Sequence, residues 1–273
     1  MSTETPVFIE PADLYARLDE PGLVIIDLCK PLTYPNGHLA GAVHMDYGQI
    51  IHIEKPVMGL LPGEQQFSEV LGKAGISPDS WVVAYDDEGG GRAARLLWTL
   101  AAAGHRRMSL LNGGIHAWVQ DQLPLTTDIP APAPTVYPVS YNQLDQVSID
   151  ADALLAHLDS LTLVDSRTHQ EFSGEKKLAE HAGHIPGAVN INWTDAMDQS
   201  RGLRLLPDDT LRQLYAAKGV TTDKNVAVYC HSHHRSAHTF FVLRHLGFER
   251  VRGYPGSWSD WGNRADMPVE TGG

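Results

Sequence analysis

The chain has 273 residues, 42% hydrophobic and 20% charged, an ordinary globular composition with room for two domains. With 21 basic against 33 acidic side chains the formal charge is −12 at pH 7, which disfavours a nucleic-acid role for the chain as a whole. The only two cysteines, Cys29 and Cys230, are too few for a disulfide framework and form no Cys-x2-Cys zinc pattern. Met1 to Thr5 lacks the basic start of a leader and no apolar run approaches membrane-spanning length, so a cytoplasmic protein without a signal peptide or membrane span is expected.

Taken in chain order, the elements repeat. The run Leu23-Val24-Ile25-Ile26-Asp27 is followed by Gly37-His38-Leu39-Ala40-Gly41-Ala42-Val43, by Lys73-Ala74-Gly75-Ile76, by Trp81 to Tyr85 closing on Asp86, and by Gly113-Gly114-Ile115-His116-Ala117-Trp118. A proline-rich stretch from Leu123 to Pro134 comes next, which resists helices and strand ladders alike. Then the same order returns: Leu161 to Asp165, Gly183-His184-Ile185-Pro186-Gly187-Ala188-Val189, Lys218-Gly219-Val220, Asn225 to Cys230, and Gly256-Ser257-Trp258-Ser259-Asp260-Trp261. The chain reads as a duplication, with a domain over 6–123, a linker over 124–144 and a second domain over 145–273.

Each copy alternates short β-branched runs with helical patterns, the signature of an α/β domain around a mainly parallel sheet flanked by helices. In the second copy the pattern predicts strands near Leu161–Val164, Val226–Tyr229 and Arg250–Arg252, and helices near Asp150–Leu158, Asp208–Lys218 and Ser236–Leu246. In the last helix Phe240, Phe241, Leu243 and Leu246 are biased toward the core, and Gly247 is the natural closing residue. Ligands of such sheets collect beyond the carboxyl ends of the strands, which is where Cys230 falls.

The stretch Tyr229-Cys230-His231-Ser232-His233-His234-Arg235-Ser236 places a cysteine after a strand and an arginine four residues further on, at the start of a helix. If this loop curls over the helix N-terminus, backbone N–H groups from about His231 to Ser236 and the helix dipole face the sulfur and favour thiolate. Three histidines and Arg235 add charge that is positive or can become so. The loop by itself leaves a buried structural cysteine equally open. His231, His233, His234 and His238 with Cys230 are ligand types for zinc or copper, but neighbouring histidines in a tight loop point apart, so neither metal nor cofactor is expected.

Together, the duplication, Asp165-Ser166-Arg167, the Gly183 to Ala188 segment and the Cys-x4-Arg loop make the chain resemble the tandem-domain rhodanese family of sulfurtransferases from about Pro6 to Thr271. Bacterial members with paired histidines before the arginine are the nearest in loop sequence. The resemblance implies two rhodanese-like domains, the first catalytically inactive because Asp86 stands where Cys230 stands in the second. It implies a Cys230 persulfide as intermediate, thiosulfate as donor, cyanide or a thiol as acceptor, and sulfur-acceptor proteins as possible partners. Arg235, His231, Ser232, His233, His234 and Ser236 are the implied substrate-binding residues.

Two further readings stay open: a persulfide carrier serving a biosynthetic partner, and a mercaptopyruvate sulfurtransferase. Against the second, mammalian-type members place an anion-binding arginine where this chain has Glu171, and the loop is not Cys-Gly-Ser-Gly-Val-Thr. Phosphatase relatives carry one more residue between cysteine and arginine, whereas the four here suit a smaller sulfur site; the first copy has the longer spacing, Asp86 to Arg92. Arg235 is expected either to bind the anion or to tie the loop to a scaffold carboxylate. Many family members have glycine where His233 stands, so a positive φ is expected there. Glu171 is expected at the pocket edge, in solvent, or paired with Lys176. Cys29 reads as inert packing, Trp193 as core or pocket border, and Asp27, Asp165, His38 and His184 as scaffold.

Overall fold

Residues 5–273 are described by the computed structural model; residues 1–4, part of the stretch read for a leader, lie outside them. The described residues form two compact units, and these are not simply the two halves of the sequence. The first comprises 5–50, 62–144 and 197–205; the second comprises 51–61, 145–196 and 206–273.

Five parallel strands in the order Phe8–Ile9, Met108–Leu111, Trp81–Tyr85, Leu23–Asp27, Val43–His44 form the sheet of the first unit. A parallel sheet covered on both faces selects continuous apolar runs. Trp81, Val82, Val83, Ala84 and Tyr85 are accordingly all buried. The proline-rich stretch stays outside the ladders: Thr126 exchanges backbone bonds with His38, Thr135 N–H donates to the Gly72 carbonyl and Val139 N–H to the Ser68 hydroxyl.

The sheet of the second unit repeats the order with one strand fewer: Val251–Gly253, Val226–Tyr229, Thr162–Asp165, Val189–Asn190, again all parallel. A single bridge from Ser148 to Gly253 occupies the edge where the first unit has Phe8–Ile9. The expected elements are present within a residue or two: helices at Ala151–Ala156, Asp208–Ala216 and Arg235–His245, with Gly247 in the left-handed region at φ 90°. One expectation changes. The helix Arg235–His245 is buried from Ser236 to Leu243 without interruption, not only along the Phe240, Phe241, Leu243 and Leu246 side. An all-round apolar environment is what a helix meets when it is packed against both a sheet and further loops.

The core of this unit gathers Leu163, Ala227 and Tyr229 from the sheet with Phe172, Ile185, Tyr254, Trp258 and Trp261. Beneath the carboxyl ends of the strands lies a closed ion pair. Arg167 donates through Nε and Nη2 to Asp165 at 2.6–3.0 Å and through Nη2 to the Gly183 carbonyl at 2.7 Å, and it stacks on Trp258 at 4.5 Å. Two buried charges are tolerated because each is fully hydrogen-bonded by the other and by backbone. Among the described residues no helix is long and apolar enough to cross a membrane.

Candidate active site

Cys230 follows the central strand Val226–Tyr229 and precedes the helix Arg235–His245, so the segment between turns sharply across the helix N-terminus. The thiol is 1% exposed. Burial by itself pushes its pKa up, but the Arg235 charge, the Ser236 hydroxyl, and the backbone N–H groups of Ser236 and Ser232 overcome that and bring it down to about 7. A cysteine in this setting is half thiolate near neutral pH.

The cradle is narrower than the run from His231 to Ser236 suggests. His233 N–H does not turn to the sulfur; it donates to the Ser257 hydroxyl at 3.1 Å, and Cys230 N–H donates to the same oxygen at 3.3 Å. Ser257 in turn donates to the Tyr254 carbonyl at 2.7 Å. Its backbone sits at φ 51°, a left-handed conformation uncommon for serine, and its side chain is fully buried. Sequence reasoning missed this clamp. The available signal was the pairing of Gly256-Ser257 with Gly113-Gly114, since Gly114 occupies the equivalent left-handed position at φ 57°. A second missed contact comes from the hairpin of His52–Glu54 and Val57–Leu60. Met58 N–H donates to the Ser259 hydroxyl at 3.0 Å, and a Cβ on Gly59 would overlap the Ser232 and Pro255 carbonyl oxygens. Only glycine permits that approach.

Arg235 is tied to the scaffold. Its Nη1 and Nη2 donate to the two carboxylate oxygens of Glu171 at 2.7 and 2.8 Å. Glu171 is therefore neither a pocket-edge repellent nor the partner of Lys176. It is 2% exposed and also completes a capping box with Thr168 at the start of the helix His169–Ser173. Burial pushes the Glu171 carboxyl up, but the bonds and charge of Arg235, helped by Thr168, hold it down at about 2. A planar bidentate pair fixes the guanidinium while leaving its positive charge to act on the sulfur.

The histidines divide. His233 has the expected positive φ, 52°, and its side chain is fully buried with Nδ1 2.8 Å from Ser236 Oγ. Burial, and after it the Arg235 charge, pushes His231 below its ordinary pKa, so it adds no positive charge at neutral pH. His234 and His238 flank Trp193, with ring centroids 6.2 and 5.6 Å from the indole, and Trp193 is half-buried there. His184 and His38 serve the scaffold through bonds to the Phe172 and Tyr34 carbonyls. Cys29 is buried beside Asp27 and Asp86, and burial together with those carboxylates raises its pKa far above the usual thiol value.

A family model for the rhodanese-like domain matches residues 10–121 and again 150–264. The chain belongs to the rhodanese family. It is 44% identical over 269 residues to a thiosulfate sulfurtransferase of Azotobacter vinelandii, covering 97% of each chain, and 40% identical to one of Pseudomonas aeruginosa, covering 98% of each. A Thermus thermophilus protein named sulfur carrier protein TtuD is 34% identical, over 94% of this chain and 93% of its own. The fold is shared with the anaerobic ergothioneine biosynthesis enzyme of Chlorobium limicola at a TM-score of 0.84 and 21% identity, covering 98% of this chain and 70% of that one. With these relatives matched over nearly its full length, this protein is a sulfurtransferase, built from two rhodanese-like domains.

Proposed function

We propose that the protein moves sulfane sulfur from thiosulfate to cyanide or a small thiol through a persulfide on Cys230. The observation that carries this reading is the Cys230 sulfur itself, buried at a helix N-terminus and held near pKa 7 by Arg235, Ser236 and Ser232. In the first half-reaction the thiolate attacks the outer sulfur of thiosulfate. The sulfur–sulfur bond of the donor breaks, sulfite leaves with the electron pair, and Cys230 keeps one sulfur as a persulfide anion. Cyanide or a thiolate then attacks that outer sulfur, a new bond forms to it, and the Cys230 thiolate is regenerated. N–H and O–H donors pointing at the sulfur hold the negative charge in both resting forms without titrating themselves.

Ser232 and Ser236 act directly on the sulfur in this scheme, and Arg235 contributes charge from its Glu171 anchorage. His231, His234 and Trp193 form the mouth through which the donor enters, while His233 acts from behind the loop. The first unit, with Asp86 in place of the thiol, is silent, and the site of action is the cytoplasm. Steady-state rates with thiosulfate and cyanide varied together test the scheme: parallel double-reciprocal lines are expected, and intersecting lines would contradict a persulfide released from sulfite before the acceptor binds.

A second reading draws support from the similarity to a protein named a sulfur carrier. In it the same Cys230 persulfide is delivered to an acceptor protein. Loading with radiolabelled thiosulfate, followed by transfer to a thiol protein at a rate above that to cyanide, would favour this reading over the first.

A further inference from the structure

We propose that His233 and Ser236 form a hydrogen-bond relay onto the nucleophile: His233 Nδ1–H holds the Ser236 hydroxyl so that its single proton is donated to the Cys230 sulfur. This rests on Cys230 being the sulfur-carrying residue, and it assigns His233 as a positioning residue rather than a group that meets substrate.

Counting donors sets the direction of the relay. Ser236 Oγ lies 2.8 Å from His233 Nδ1, and the Ser236 hydroxyl is among the groups that bring the Cys230 thiol down. A hydroxyl has one proton to give and lone pairs to receive with, and a thiolate only accepts. With Oγ donating to sulfur, the bond to the ring is satisfied only when Nδ1 carries the hydrogen. His233 and Ser236 are both fully buried, so no solvent competes for either bond. The imidazole is thus locked in one tautomer by the hydroxyl it serves, and the hydroxyl is locked in one rotamer by the imidazole.

The backbone supplies an independent argument. His233 sits at φ 52°, a region where glycine is at ease and other residues are strained. Counting back from the arginine of each loop, the first unit has Gly90 at this position, at φ 107°, and Ala93 at the position of Ser236. Ring and hydroxyl are therefore missing together in the loop that has no thiol. A side chain that strains the backbone, present only beside a cysteine, is explained by what its ring does for the sulfur.

Other charged groups around the loop do not substitute for the relay. Arg235 is paired with Glu171, and Asp165 with Arg167. His231 is uncharged at neutral pH, His234 and His238 flank Trp193, and the neighbouring hairpin contributes only the exposed His52, Glu54 and Lys55.

The test is the pH dependence of Cys230 alkylation by iodoacetamide, located by peptide mass, in full-length wild type, His233→Gly, His233→Asn, Ser236→Ala and the His233→Gly/Ser236→Ala double variant. Glycine relieves the backbone strain at this position while the lost ring leaves a cavity, so the melting point of every variant is recorded beside its midpoint and only folded variants are compared, which separates loss of the relay from loss of the fold. The relay predicts that His233→Gly and Ser236→Ala each move the alkylation midpoint up by about one pH unit, about tenfold in the thiolate-to-thiol ratio. The double variant should move no further than Ser236→Ala alone, and His233→Asn, whose amide N–H reaches part of the way, should fall between wild type and His233→Gly. An unmoved midpoint in His233→Gly, or additive shifts in the double variant, would overturn the relay. Thiosulfate loading of the wild type is scored separately: if no sulfur is taken up while the midpoints move as stated, the sulfur-transfer reading fails and the relay stands.

Discussion

The two loops at the carboxyl ends of the two sheets solve one problem with different occupants. In the first unit the carboxylate of Asp86 fills the cradle. Oδ1 accepts from Glu88 and Gly90 N–H at 3.0 and 2.7 Å, and Oδ2 accepts from Arg92 and Ala93 N–H at 2.8 and 3.0 Å. In the second unit the occupant is Cys230, whose thiol is brought down to about 7, against burial, by the Arg235 charge, the Ser236 hydroxyl and the Ser236 and Ser232 N–H groups. Both cradles hold an acidic side chain at the mouth of a helix. The difference is that a carboxylate is a terminal occupant, bonded at both oxygens and unable to carry sulfur, whereas a thiolate is a nucleophile whose charge passes to the next sulfur. The fold supplies a cradle of donors in both units, and in the proposed scheme the thiol at Cys230, with His233 and Ser236 beside it, turns that cradle to sulfur transfer.

The largest effect that would sharpen this comparison comes from removing the thiolate. Cys230→Ala should lower turnover with thiosulfate and cyanide by more than about a thousandfold, as loss of a covalent nucleophile does. Its thermal melting point should change little, because the alanine leaves the cradle and its Arg235–Glu171 anchor in place.

Glu171→Arg is next. A reading from sequence that placed Glu171 at the pocket edge would have this substitution lower the KM for thiosulfate. With Glu171 buried against Arg235, it instead sets two guanidinium groups against each other, and breaking a buried pair costs about 3–5 kcal/mol. A lower melting point and a fall of at least about tenfold in kcat/KM are expected; improved KM with unchanged stability would contradict the pairing. The native pair also sets an acid limit. The carboxyl is depressed below its unfolded value, so its contribution is complete above about pH 4.5 and is lost as pH falls toward about 2.

Emptying the other cradle should touch stability without touching chemistry. Asp86→Ala leaves four N–H groups without their acceptor, those of Gly90 and Ala93 buried, a loss of about 2–4 kcal/mol measured by denaturant unfolding, while kcat stays within about twofold. Added formate or acetate should recover part of the lost stability by taking the vacated place. If kcat collapsed with stability intact, the first loop would have a part in the reaction that its geometry does not suggest.

These expectations use features that differ in how well the sequence displays them. The duplication, the parallel α/β sheets and the strand–loop–helix around Cys230 were readable because buried parallel strands and repeated Gly-His turns leave local patterns. Glu171–Arg235 was not readable: 64 positions separate the partners, and a glutamate one turn into a helix looks like any capping residue. Ser257 and Gly59 were hidden for the same reason, since the contacts they make with the loop come from 24 or more residues away and depend on the backbone approaching at close range. His233 stood in between. Its positive φ was expected from its place in the loop, but nothing local said that its ring would turn inward onto Ser236.

A smaller effect concerns pH. Because the Cys230 pKa lies near 7, kcat/KM for thiosulfate should rise as pH increases through about 7 and level off above it. The smallest effect is at the other cysteine. Cys29→Ala should leave the rate within a few-fold, because a buried thiol kept protonated by Asp27 and Asp86 takes no part in sulfur transfer.

The central claim, that only the thiolate-filled cradle carries sulfur, is met most directly by mass spectrometry of the intact protein after thiosulfate treatment without acceptor, followed by peptide mapping and then by cyanide. The account predicts one added sulfur, located on Cys230 and removed by cyanide, with Cys29 unmodified. Sulfur on Cys29, or no added mass at all, would contradict it.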